Sequence, residues 1–329
     1  MRHITNGEMA NQWLGQCGIE GGFLAWDDVL HEGPVPAGLG LDELSAVRAA
    51  YIASCGWATD FEAQTHFQAR DALFRSAARD GGVVIWNSFE LYDQLHLMQL
   101  LHWYAGEGRD CAWPQLVFVE DYLGRADPVR TRELFNGRKA LTEAQLQLGA
   151  EAWLAFGAAN PRALAALLQR DLSALPFLHR ALARLLQEYP GPDGLSLSER
   201  LTLEALADAE LGPGELFRAV REREDVAFMG DASFWLMLER LLASPCPLLR
   251  VRGGRFERPG LCGGGDDFLA LRIGLAAAGR EVLCGERDWL AQQPVDRWIG
   301  GVNLRPDNLW RFDALSGCLD RSGSVATRG

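Results

Sequence analysis

Lysine is almost absent from the sequence; arginine carries nearly all the positive charge, and the balance is still acidic, with a formal net charge of -12 and a pI near 5.0. Non-specific affinity for nucleic acid comes mainly from Lys and Arg neutralising phosphates, so this balance argues against a general polyanion binder, and DNA is not an expected partner. Paired cysteines are missing too. Cys17, Cys55, Cys111, Cys246, Cys262, Cys284 and Cys318 are scattered in odd number with no C-x-x-C pair. That pattern is poor material for zinc or for a disulfide framework and fits a reducing compartment. No apolar run approaches the ~20 residues of a membrane span. Met1 to Gly7 enters folded pattern at once, without a signal peptide, so the expected location is cytoplasmic, with no membrane partner.

Other signatures are lacking as well. No G-x-G-x-x-G follows a strand, no G-K-[ST] accompanies the glycine-rich Gly260 to Gly265, which reads as a flexible loop, and no period of about 20 to 50 residues recurs. What is present is an ordinary globular composition, 48% hydrophobic and 23% charged over 329 residues, long enough for two or three domains.

His3-Ile4-Thr5 is a short β-type run ending at Asn6-Gly7, and Glu8 to Gln16 then carries Met9, Trp13 and Leu14 at helical spacing. A second strand, residues 22 to 26, makes a β-α-β opening with a parallel crossover. Amphipathic helices follow over Leu41 to Cys55 and Asp60 to Asp80. Residues 82 to 86 read as a buried strand, then comes a helix so apolar from Leu91 to Leu101 that it must pack between layers, then a strand over Leu116 to Val119. This order predicts a Rossmann-like, doubly wound α/β domain over residues 1 to 140.

From Leu141 the pattern turns helical. Thr142 opens a T-x-x-Q relative of the capping box, and Asn160-Pro161 and Ser173 to Pro176 start further helices, giving a helical connector over 141 to 190. Tyr189 to Gly194 is the strongest break. Beyond it, helices over Ser196 to Asp208, Pro213 to Glu224 and Asp231 to Ala243 precede Leu248 to Glu257, which reads as a hairpin turning at Gly253-Gly254. Three helices and a hairpin outline a winged-helix-like α+β domain over 191 to 329. It ends in a closing hairpin between Trp298 to Val302 and Leu309 to Asp313.

In open parallel sheets, ligands bind outside the carboxyl ends of the strands. The residues expected there are Asn6 and Gly7, then Asp27 and Asp28 with His31 and Glu32, then Asn87 with Glu90, then Glu120 with Asp121. An oxygen-rich corner of this kind suits Mg²⁺ or Mn²⁺ and phosphoryl chemistry, with His31 as a base near neutral pH. Asp27, His31 and Glu32 are therefore the expected catalytic groups, and Asp27 and Glu120 the expected metal ligands. Asn6, Gly7, Asp28, Asn87, Glu90 and Gln94 are the expected ligand-binding set, with Glu90 and Gln94 one helical turn apart on a common face. Acidic residues at helix N-termini also satisfy the dipole without any ligand.

Trp26-Asp-Asp-Val-Leu-His-Glu-Gly-Pro-Val35, with His3 to Gly7 before it and Leu91-Tyr-Asp-Gln-Leu95 after it, resembles the bacterial family labelled "domain of unknown function 1835". The resemblance covers roughly the first 125 residues; Phe228 to Trp235 and Trp310 to Asp313 look like that family's usual C-terminal companion region. It implies the fold and no activity. Family members often carry a His-Asp pair where this chain has Phe89-Glu90. Two functions compete on these residues, beside a third reading in which the chain is a scaffold and the polar cluster only caps helices. One is binding of, or action on, a nucleotide or phosphoester at the sheet's carboxyl edge; the other is a non-enzymatic ligand-sensing regulator or interaction protein using the C-terminal module.

Overall fold

The computed structural model describes residues 1–125, 127–259, 265–291 and 293–321. The chain divides into two compact units. The first is Met1–Ser54, Ala58–Ala183 and Gly300–Val302; the second is Cys55–Trp57, Arg184–Ile299 and the described residues from Asn303 onward.

The first unit is built from β1 (Arg2–Thr5), α1 (Glu8–Gln16), β2 (Gly22–Ala25), α2 (Leu41–Ser54), α3 (Asp60–Arg79), β3 (Val83–Ser88), α4 (Leu91–Ala105), β4 (Gln115–Val119), α5 (Pro128–Asn136), β5 (Lys139–Ala140), α6 (Glu143–Phe156) and α7 (Arg162–Leu167); the division between units falls within α8 (Leu178–Leu186). Its five-stranded sheet runs β2-β1-β3-β4-β5, with β1 to β4 parallel and only β5 antiparallel. Every residue of β3 is buried, as a strand with both faces covered requires. Alternate side chains Val84, Trp86, Val117 and Val119 pack with Leu14 of α1 and with Cys17, which caps its carboxyl end.

The helices start where their chemistry says they should. Thr59 with Glu62 and Thr142 with Gln145 each form a complete capping box, so the T-x-x-Q signal marks a true helix start. The segment expected as a separate connector is part of the first unit as far as Ala183. Its reason is α4, whose buried circumference needs a second partner: α6 lies on it so closely that a Cβ at Gly149 would stand 2.3 Å from Leu101.

Arg48 fixes the loop after β2. Wholly buried on α2, it donates to both carboxylate oxygens of Asp28 at 2.8–3.0 Å and to the carbonyls of Val29, Glu32 and Pro34. Gly33 sits in that loop at φ +76, where a Cβ would meet the Tyr51 ring at 2.5 Å, so only glycine fits.

The second unit contains α9 (Leu197–Ala205), α10 (Pro213–Arg221), α11 (Asp231–Ala243), β6 (Leu249–Arg252), α12 (Asp266–Leu269), β7 (Arg272–Leu275), α13 (Ala277–Leu283), β8 (Arg297–Ile299), β9 (Val302–Leu304, whose first residue counts with the first unit), β10 (Trp310–Asp313) and β11 (Cys318–Arg321). The three expected helices are there, but the hairpin is not. β6 pairs antiparallel with β7, about twenty residues on, instead of with residues 254 to 257. Burial explains it: Ile273 and Leu275 join Leu249 fully buried in the core with α9 to α11, whereas residues 254 to 257 offer only Phe256, which packs on that core partly buried. The closing hairpin is likewise two pairings, β8 with β9 and β10 with β11, because Gly300 at φ +57 and Gly317 at φ +68 each reverse the chain early. Residues 260–264 of the glycine-rich loop lie outside the described residues. Among the described residues no helix is long and apolar enough to cross a membrane.

Candidate functional site

The strand order sets where a ligand site can form. β1 lies between β2 and β3, so α1 carries the chain to one side of it, and α2 with α3 carries it back to the other. The direction of winding therefore reverses at β1, and the carboxyl ends of β1 and β3 flank the crevice of a topological switch point.

Asp93, in the first turn of α4, spans this crevice. Its carboxylate accepts the Ser88 backbone N–H at 2.8 Å and a hydrogen bond from the Asn6 side chain, tying the tip of β3 to the tip of β1. The side chain is almost wholly buried. Burial drives the carboxyl up to about 6, and these hydrogen bonds only partly oppose the shift. Around it lies a ring of amides. Gln94 Nε2 donates to Asn87 Oδ1 at 2.7 Å and to the Ser88 carbonyl at 2.6 Å, while Asn87 Nδ2 donates to the Asp93 carbonyl at 3.0 Å. Gln94 Oε1 is buried and has no partner among the described residues. On the β1 side, Gly7 precedes α1 with open space where a Cβ would be.

Tyr92 connects this crevice to the end of β2. Burial raises its phenol, and Asp28, Asp27 and Asp93 push it further the same way, so all three carboxylates act on one hydroxyl. Its ring packs on His96 at 4.5 Å between centroids and faces His31 at 6.2 Å. His96 is buried, and burial lowers its imidazole to about 4; the neutral ring donates Nε2–H to the Asp28 carbonyl at 2.7 Å.

The expected site residues divide into three groups. Asn6, Gly7, Asn87 and Gln94 come together at the switch point. Glu90 is next to them, but it is the extended N-cap of α4 and stands outside the helix, so it does not share a helical face with Gln94. Asp28, His31 and Glu32 belong to the loop held by Arg48: Asp28 gives both oxygens to that guanidinium, the Glu32 carbonyl accepts from it, and His31 is only 2% exposed, not presented at the rim. Asp27 is exposed and pairs with His66 of α3 at 2.8 Å. Burial alone would raise the Asp27 carboxyl, but the His66 hydrogen bond outweighs it and holds the group below its ordinary value; the same bond raises His66.

One shared metal ion cannot be held by Asp27 and Glu120. They follow β2 and β4, three strand spacings or about 14 Å apart, while ligands of one Mg²⁺ must all lie about 2 Å from it. Among the described residues no three His, Cys, Asp or Glu side chains are placed to hold a metal ion. Glu120 and Asp121 instead line a separate hollow of about 280 Å³ with Asp127 and Arg130.

Asp93, Tyr92 and His66 were not among the expected site residues. Asp93 had a signal: it is three residues after Glu90, the N3 position of a helix whose N-cap is Glu90, where a carboxylate turns back to orphan amides. His66 had none, since its partner Asp27 is distant in sequence. The His66–Asp27 pair makes a prediction of its own. His66 should titrate above the usual imidazole range in the parent, and Asp27→Asn should bring it down. Histidine ring NMR shifts against pH measure this; an unmoved His66 would mean that the pair does not form in solution.

Comparison with protein-family models gives no match, and neither does comparison with curated proteins.

Proposed function

We propose that the first unit is a Rossmann-like, doubly wound domain that binds a small ligand of the nucleotide or phosphoester class between the carboxyl ends of β1 and β3. Asp93 would be the group that gives or takes a proton there. The observation carrying this reading is Asp93 itself: a buried carboxyl at about 6, held between Asn6 and Ser88 at the winding reversal, exchanges a proton readily near neutral pH. Asn6, only partly buried, is the amide of this ring that a base or sugar edge can reach, while Asn87 and Gln94, 1% and 0% exposed, bond to each other and to the start of α4 and hold the rim in place behind it. The first amides of α1, opening at Gly7, suit an anionic oxygen. The resemblance to the domain-of-unknown-function family adds no activity, so the reading rests on this geometry.

A regulator working through a winged-helix-like second unit has less support. The wing it needs is replaced by the β6–β7 pairing, and Arg250 and Arg252 are both drawn to Glu210.

Thermal shift followed by calorimetry, with nucleoside phosphates and sugar phosphates with and without Mg²⁺, tests the proposal. A ligand at 100 times its dissociation constant should stabilise the parent by about 2.7 kcal/mol, and Asn6→Ala should weaken it about tenfold. Asp93→Asn should abolish the dependence of binding on pH around 6. Absence of a shift with every phosphorylated ligand at millimolar concentration, or equal affinity in the parent and Asn6→Ala, would end it.

A further inference from the structure

The second unit contains a cavity of about 350 Å³ unrelated to the switch point, and its wall is chemically mixed. Trp289, Leu290 and Leu304 are among its apolar lining residues, and Glu199, Arg240 and Arg297 among its charged ones. Glu199 cannot turn to serve its two arginines better. One of its oxygens accepts the Ser196 backbone N–H at 2.8 Å in the capping box of α9, and the other meets Arg297 at 3.5 Å and Arg240 at 3.7 Å; Arg297 is also held from behind by the Glu188 carboxylate at 3.2 Å. Two more polar atoms bear on the cavity. Ser244 Oγ and Gln293 Oε1, on side chains that line it, are buried without a partner among the described residues. A buried polar atom left unsatisfied is costly, and a ligand supplying the missing hydrogen bond would recover that cost.

Charge narrows the ligand class. With Asp296, the lining carries two carboxylates against two guanidiniums, so neither an anion nor a cation alone matches it. The volume is near the lower end of the ~300 to 1,000 Å³ of small-molecule sites, too little for a dinucleotide and enough for one amino acid.

We propose that this cavity binds a free α-amino acid with an apolar side chain. Its carboxylate meets Arg240 and Arg297, its ammonium donates to Gln293 Oε1 and the Glu199 carboxylate, and its side chain lies against Trp289 and Leu290. Ser244 Oγ takes a remaining donor or acceptor of the ligand's polar end. Nothing in this site depends on the first unit's crevice.

Calorimetry on the full chain tests the proposal with L-leucine and L-phenylalanine, with L-leucinamide, which lacks the carboxylate, and with 4-methylpentanoate, which lacks the amine. The parent should bind one of the amino acids saturably, with the amide and the deaminated acid at least tenfold weaker. Gln293→Leu should weaken binding at least tenfold with unchanged circular dichroism, and Asp93→Asn should leave it unchanged. Arg240→Lys, which keeps the charge but not the planar fork, should fall between parent and Gln293→Leu. No saturable binding of either amino acid to millimolar concentration, equal affinity for acid and amide, or an unaffected Gln293→Leu would each overturn the assignment.

Discussion

Asp93→Asn should make the protein more stable at pH 7.5 by on the order of 3 kcal/mol, and the gain should disappear by about pH 4. The carboxyl titrates at about 6 in the fold against an ordinary 3.8. Between those values the folded chain keeps a proton that the unfolded chain has lost, so the parent's stability falls as pH rises from about 4 to about 6 and stays low above. At about 1.4 kcal/mol per pH unit the difference accumulates to the figure above. Asparagine is neutral throughout, and its amide oxygen can still accept the Ser88 N–H. Urea denaturation of both proteins from pH 4 to 8 measures the gap, with an unchanged m-value showing that the same surface unfolds. An asparagine variant less stable than the parent at pH 7.5 would make Asp93 a favourable ionised clamp and remove it as a proton carrier. A carboxyl that weakens its own fold at neutral pH is what a functional site retains and a purely structural one does not need.

Arg48→Ala should cost about 3–5 kcal/mol, a large share of the ~5–15 kcal/mol by which a native domain is stable. The guanidinium neutralises a carboxylate that is itself out of water and satisfies three carbonyls of the loop after β2, so its removal strands a buried charge and several acceptors at once. Arg48→Met with Asp28→Leu should be less damaging than Arg48→Ala alone, because both charges leave together. Chemical denaturation of the single and double variants gives the coupling energy. Equal destabilisation by Arg48→Ala and by the double variant would assign the loss to packing and carbonyl contacts instead of to the ion pair.

The four parallel strands could be read from sequence because each is a short apolar run ending in polar residues, and burial on both faces leaves no other place for Val83 to Trp86 or Leu116 to Val119. β5 could not. Its two residues, Lys139 and Ala140, are both exposed and carry no hydrophobic signal; backbone pairing to Gln115 and Leu116 alone defines the strand. The β6–β7 pairing was hidden for a different reason. Gly253-Gly254 does turn the chain, but the strand that buries apolar side chains against β6 begins at Arg272, and local turn chemistry says nothing about a partner that distant. At the site, Asn6, Asn87 and Gln94 were legible because topology delivers strand tips to a common edge. Asp28 and His31 share that edge, yet an arginine from α2 claims the loop they stand on, and no spacing rule relates Arg48 to Asp28. Asp93 was hidden by one residue of helix register: with Glu90 as a cap outside the helix, Asp93 is the residue that faces back to the crevice.

The exposed edge strand β5 bears the sequence's single lysine, Lys139, opposite Leu116 near the amino end of β4. The candidate crevice is at the other end of the same sheet. Amine-directed coupling at Lys139 therefore offers an address far from Asp93: a fluorophore or surface tether attached there can report on ligand uptake without occupying the place where the ligand binds.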